Sequence, residues 1–163
     1  MRSEMWDATL ETNLRGVMFG CKHAIPHLIA AGGGSIVSTS SIPGSRGHIH
    51  SASYGASKAG IESLTRSIAQ MYGSAGVRCN AIAPGMALSE TILGRRSQEE
   101  IWSLARHQAL QVLGTPEFPA TVVAFLASDA AAFITGQVVT VDGGLTGHIP
   151  ESDYGNPSSG ASA

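Results

Sequence analysis

Tyr54 and Lys58 stand four residues apart in Tyr54-Gly55-Ala56-Ser57-Lys58, at the start of a helical pattern. That spacing puts both side chains on one helix face, a turn apart, where they can act on one small site. A phenol releases its proton only near pH 10, so it serves as an acid or base at neutral pH where a nearby cation favours the phenolate. Lys58 is placed to be that cation. Ser41 lies thirteen residues before Tyr54, where a β-rich run opens into a Gly- and Pro-containing loop. Taken alone, a Tyr and a Lys at this spacing are more often only a surface pair, and the elements around them must decide.

Those elements alternate. Trp6, Leu10, Leu14, Val17 and Met18 recur at helical spacing, predicting one long amphipathic helix from Ser3 to about Ala31, stopped by Gly32-Gly33-Gly34. Ser35 to Ser40 reads as a strand and Ser41 to Ser51 as a loop. A second helix is predicted from Ala52 to Ala75, then a strand from Val77 to Ala83 closed by Pro84-Gly85. A polar flap follows. Ser97-Gln98-Glu99-Glu100 offers a capping box for a helix to about Val112, another helix runs from Thr115 to Ser128, and a last strand spans Gln137 to Val141. Strands separated by helices imply an α/β fold with a doubly wound parallel sheet, whose ligands sit beyond the carboxyl ends of the strands. Residues 1–148 are assigned to this domain and 149–163, rich in Ser, Gly and Pro, to a flexible tail.

Composition narrows the classes of function. The 163 residues are 43% hydrophobic and 13% charged, with a net charge of −2 and no basic run, which argues against nucleic acid and anionic membranes as partners. No apolar stretch approaches the roughly 20 residues of a spanning helix, and the N-terminus lacks a signal-peptide core, so a cytoplasmic protein is expected. Cys21 and Cys79, each among apolar neighbours, are expected as buried free thiols. His48 and His50 supply too few ligands for zinc, and no metal site is assigned. They are read as exposed loop residues or lining for a substrate. Arg95, Arg96, Glu99 and Glu100 are read as a solvated face of the flap, and Asp142-Gly143-Gly144 as a tight turn without catalytic role.

Five stretches in this order carry a family resemblance: Trp6 with Asn13-Leu14-Arg15-Gly16; Gly34-Ser35-Ile36-Val37 with Ser40-Ser41; Tyr54 to Ala59; Asn80-Ala81-Ile82-Ala83-Pro84-Gly85; and Phe125 to Ser128 with Thr135-Gly136 and Val141-Asp142-Gly143-Gly144. Over about residues 3 to 147 the chain resembles the short-chain dehydrogenase/reductase family. The resemblance implies a Rossmann-like fold, NAD or NADP as cofactor, and an alcohol or carbonyl substrate. It implies that Tyr54 is the general acid in reduction and the base in oxidation, that Ser41 hydrogen-bonds the substrate oxygen, and that Lys58 binds the nicotinamide ribose. Asn13 would hold a water linking Lys58 to solvent. Pro84-Gly85-Met86-Ala87-Leu88-Ser89 is similar to the family's nicotinamide loop, with backbone groups near Ala87 and the Ser89 hydroxyl on the carboxamide. Ser40 competes with Ser41, but strand alternation sends the two to opposite sides, and Ser40 is read as structural. The resemblance further implies a homodimer or homotetramer built on the two long helices.

The family's Gly-rich pyrophosphate turn follows a strand and opens a helix, whereas Gly32-Gly33-Gly34 precedes one. The chain is therefore read as the C-terminal catalytic part of the pattern, from a partial sequence or one whose true start lies upstream of Met1. Substrate choice is expected to lie in residues 42–53 and 86–112. The competing reading is a non-catalytic interaction module that keeps the helical assembly surface without binding cofactor.

Overall fold

A computed structural model describes residues 2–49 and 52–147. Three strands, β1 (Gly34–Thr39), β2 (Val77–Pro84) and β3 (Val138–Val141), form one parallel sheet in the order β1-β2-β3. Gly34 to Thr39 pair in register with Val77 to Ile82, and Ala81 to Pro84 with Val138 to Val141. All three strands therefore end on one side of the sheet, β1 at Thr39 shortly before Ser41, β2 at Pro84, and β3 at Val141 just before Asp142.

Side-chain alternation along the strands feeds two cores. Ile36 and Cys79 face α2 (Gly16–Ala30) and α3 (Ala52–Tyr72), where they pack with Cys21, Ile25, Ile68 and Ala69. Val37, Ile82 and Val139 face the other way, onto Leu126, Val122 and Val123 of α6 (Glu117–Ala127) and onto Ala131. Helices thus cover both faces, and the fold is the expected Rossmann-like α/β arrangement. Both cysteines are free and buried. No helix among the described residues is long and apolar enough to cross a membrane.

The turns into β1 and β2 pack against each other. A Cβ on Gly33 would stand 2.7 Å from the Gly76 carbonyl oxygen, while Gly76 holds a left-handed φ of 78°, so both positions exclude larger residues. At the far end of α6, Arg78 donates to the carbonyls of Leu126 and Ser128 at 2.8 and 3.0 Å, and Ser35 also donates to Leu126. These side chains satisfy carbonyls that a helix end leaves without intrahelical donors.

Several boundaries differ from the sequence reading. The first helix is not continuous: α1 (Ser3–Leu10) and α2 are joined by a π-helical turn, Glu11–Arg15, with Asn13 at its centre. The second long helix is α-helical to Tyr72 and finishes as a 3₁₀ turn, Gly73–Ala75. A short helix, α4 (Glu90–Leu93), lies inside the polar flap. The capping box forms reciprocally, the Glu100 carboxylate accepting from the Ser97 N–H and the Ser97 hydroxyl from the Glu100 N–H. The helix it starts, α5 (Gln98–Ala105), stops well before Val112, because Gln108 turns into the interior and the Leu110 N–H is taken by the Gly143 carbonyl at 2.9 Å. His50 and the assigned tail at 149–163 lie outside the described residues.

Candidate active site

The first wall of the site is the end of β1, where three successive residues meet three different partners. The Thr39 carbonyl accepts from Lys58 Nζ at 2.8 Å. Ser40 is buried, its hydroxyl turned toward α3 and donating to Glu62 Oε1 at 2.8 Å. Ser41 is turned the opposite way, its hydroxyl 3.5 Å from the Pro84 carbonyl at the end of β2. Alternation along an extended backbone therefore assigns Ser40 to the interior and Ser41 to the loop side.

The second wall is α3. Tyr54 and Lys58 are half-buried on its first two turns, with Nζ 5.4 Å from the centre of the Tyr54 ring. Burial pulls the Lys58 ammonium below the ordinary lysine range. One of its three N–H groups goes to Thr39, and the side chain lines an open groove with Asn13, Val17, Ile36 and Val37. Asn13 and Lys58 thus reach one groove, but the Asn13 amide donates to Ser57 Oγ at 3.1 Å. Ser57, fully buried, donates in turn to the Tyr54 carbonyl at 2.7 Å. The π-turn presses Asn13 onto the start of α3. A π-turn widens the helix by one residue and loosens its hydrogen-bond ladder, a geometry recurrent at functional sites.

The third wall is the segment after β2. Gly85 is wedged against the turn after β3: a Cβ there would lie 2.8 Å from Asp142 Cβ and 2.9 Å from its Cα. Asp142 makes that turn rigid, accepting from the Gly144 N–H, the Thr146 N–H and the Thr146 hydroxyl at 2.9, 2.8 and 2.7 Å. Partial burial pushes its carboxyl up, but these hydrogen bonds outweigh it and hold the pKa below the ordinary aspartate value. Arg46 reaches from the loop after β1 to the Thr146 carbonyl at 3.2 Å. Pro84, Gly85 and Ala87 border an apolar cavity of about 140 Å³, closed by Leu110, Val112 and Phe118. Ser89 does not line it; it stands at the N-cap of α4.

Thr39, Ser57 and Glu62 were not singled out from the sequence. Thr39 acts through its main chain, which no side-chain pattern reveals. Glu62, a carboxylate four residues after Lys58 on a helix packed onto the sheet, is the one with a legible signal. His48 is exposed, as are Arg95, Arg96, Glu99 and Glu100. Among the described residues, no three His, Cys, Asp or Glu side chains gather where they could hold a metal ion.

A parallel sheet covered by helices on both faces, with Ser41 just past the end of β1 and Tyr54 and Lys58 on the first turns of α3, is a Rossmann-like arrangement, and comparison with known proteins narrows the class. The family model described as enoyl-(acyl carrier protein) reductase matches residues 1–146. A Bradyrhizobium diazoefficiens protein named "Probable short-chain type dehydrogenase/reductase" is 50% identical over 153 residues, covering 93% of this chain and 54% of that one. The cis-4-hydroxycyclohexanecarboxylate dehydrogenase of Sinomonas cyclohexanicum is 45% identical over 141 residues, 86% of this chain and 56% of that one. The solved structure of ElxO with NADP bound superposes with a TM-score of 0.85 at 32% identity, over 91% of this chain and 60% of that one. The chain belongs to the short-chain dehydrogenase/reductase family. It spans a little over half the length of the curated relatives it matches.

Proposed function

We propose that this chain carries the reaction centre of an oxidoreductase that moves a hydride between NAD or NADP and a small alcohol or carbonyl compound. The observation that carries the reading is the meeting of Tyr54 and Lys58 on one face of α3 with the end of β1, which bears Ser41. The donor set fits the ribose and nicotinamide end of such a cofactor. Lys58 has two N–H groups beyond the one given to Thr39, enough for a pair of vicinal hydroxyls. The Pro84-to-Ser89 segment, with Pro84, Gly85, Ala87 and Ser89, is assigned to the carboxamide.

A nicotinamide held there would supply or accept the hydride. Tyr54 gives its proton to the carbonyl oxygen in reduction and takes it from the hydroxyl in oxidation. Ser41 Oγ, on the loop side of the strand end, donates to the same oxygen and stabilises charge that develops there. Lys58 puts a positive charge beside the phenol, and Asn13, sharing its groove, connects Lys58 to solvent through a water. Domain 1–148 is proposed to act as one unit, in the cytoplasm, with a small-molecule substrate. The apolar groove between α2 and α3, lined by Met18, Ile25, Leu64, Ile68 and Met71, supports assembly as a homodimer or homotetramer. It equally suits the alternative of an interaction module without catalysis.

The test is turnover of NADH and NADPH on a panel of ketones, aldehydes and secondary alcohols. It uses the 163-residue chain and the same chain joined behind the N-terminal half of a curated relative. Tyr54→Phe should lower turnover by about 10²- to 10⁴-fold with the fold intact. Absence of both turnover and cofactor binding in either form would leave the interaction module.

A further inference from the structure

Glu62 is a buried carboxylate, 7% exposed, that plays no part in the reaction just described. It follows Lys58 by four residues and Tyr54 by eight along α3. Its Oε1 accepts from the Ser40 hydroxyl at 2.8 Å, and the Lys58 carbonyl lies 3.2 Å from the same hydroxyl. The chain then folds back over the pair: a Cβ on Gly44 would stand 2.6 Å from Glu62 Oε1 and 2.8 Å from Ser40 Oγ. Three separate segments converge on one hydrogen bond.

We infer that Glu62 is a positioning residue for the reaction centre, locking through Ser40 the strand end that carries Ser41 against the helix that carries Tyr54 and Lys58. The inference rests on the proposed reaction. Ser40 and Ser41 are neighbours on an extended backbone, so fixing the Ser40 side chain inward fixes the direction of the Ser41 hydroxyl. Lys58 on Thr39 and Glu62 on Ser40 are two ties one helical turn apart. Two ties set both the slide and the rotation of α3 relative to the strand, which one tie cannot. Stability alone is a poor reason for a carboxyl group here, since burying a polar side chain costs more than burying an apolar one of similar size.

The test compares Glu62→Leu, Glu62→Gln and Ser40→Ala by amide hydrogen exchange and, where turnover is measured, by steady-state kinetics. The amides of Gly44, Ser45 and Arg46, which bond back to Ser41 and Ile42, report on the strand end. Those of Cys79 and Ala81 in β2 report on the fold as a whole. Glu62→Leu is expected to speed exchange at residues 44–46 by about tenfold or more with the β2 amides unchanged. It should lower kcat by roughly ten- to a hundredfold, with KM within about twofold. Glu62→Gln keeps the acceptor and should stay within about threefold of the parent on both readouts. Ser40→Ala, the milder change should Glu62→Leu not fold, is expected to reproduce the loss, and the double variant should be no worse than Glu62→Leu. Unchanged exchange and kcat in Glu62→Leu and Ser40→Ala, or a Glu62→Gln as damaging as Glu62→Leu, would overturn the inference. If the parent protein turns over nothing, the proposed reaction fails, and the exchange comparison still decides whether the clamp exists.

Discussion

Lys58 Nζ lies 5.4 Å from the centre of the Tyr54 ring while it donates to the Thr39 carbonyl at 2.8 Å, so one ammonium ties the phenol-bearing helix to the serine-bearing strand. The same embedding costs it hydration, and burial lowers its pKa from the ordinary 10.5.

A titration of the Lys58 ammonium by nitrogen NMR should therefore have its midpoint below 10.5. Between the folded midpoint and that ordinary value the unfolded chain binds more protons than the folded one, so this residue makes stability rise with pH there. A midpoint at or above 10.5 would contradict the burial of this group.

Cys79 should push in the opposite direction. Burial, with the neighbouring Cys21 thiol adding to it, raises its pKa from 9.0 to about 12. Across that interval the unfolded chain loses a proton that the folded chain keeps, so stability falls as pH rises from 9 toward 12. Denaturant unfolding between pH 8 and 11 should show a smaller decline in Cys79→Ala. In the native protein this thiol should react with a thiol reagent only through unfolding.

Gly85→Ala should destabilise by about 1–3 kcal/mol, because the new Cβ meets Asp142 Cβ and Cα at 2.8 and 2.9 Å, neither of them the free end of a side chain. Gly47→Ala is the control. Among the described residues nothing beyond its chain neighbours lies within 4 Å of its added Cβ, and its effect should stay within about 0.5 kcal/mol by urea unfolding.

Asn80→Ala should cost about 2–3 kcal/mol. The Asn80 amide is fully buried, donating to the Ile134 carbonyl at 2.8 Å and accepting from the Gln137 N–H at 3.0 Å, and so holds the chain that leads into β3. Loss of exchange protection at Gln137 in the variant, with β1 unaffected, would locate the damage.

The sheet and its two helical covers were legible because Ile36, Val37, Cys79 and Ile82 alternate while α2, α3 and α6 keep helical periods, and each pattern agrees with what it packs against. The opposite facing of Ser40 and Ser41 followed from the same two-residue period. The π-turn at Asn13 was not legible, since Leu10 and Leu14 continue the helical spacing straight through it. Nor was the early end of α5, where a tertiary partner, the Gly143 carbonyl, captures the Leu110 N–H. Hydrogen bonds to main-chain carbonyls such as Thr39 leave no trace in residue identity.

Strand β1 meets the helix with Thr39 and Ser40 and leaves Ser41 to the loop side, with Gly34 to Thr39 held in fixed register against Val77 to Ile82. A one-residue insertion or deletion between Gly34 and Ser41 would exchange the faces of the two serines and aim the wrong hydroxyl at the helix. Changes in length beyond Ile42–Gly44 would leave both where they are. Tolerance to insertion should therefore change abruptly within a few residues of Ser41, with a rigid ruler before it and an adjustable loop after it.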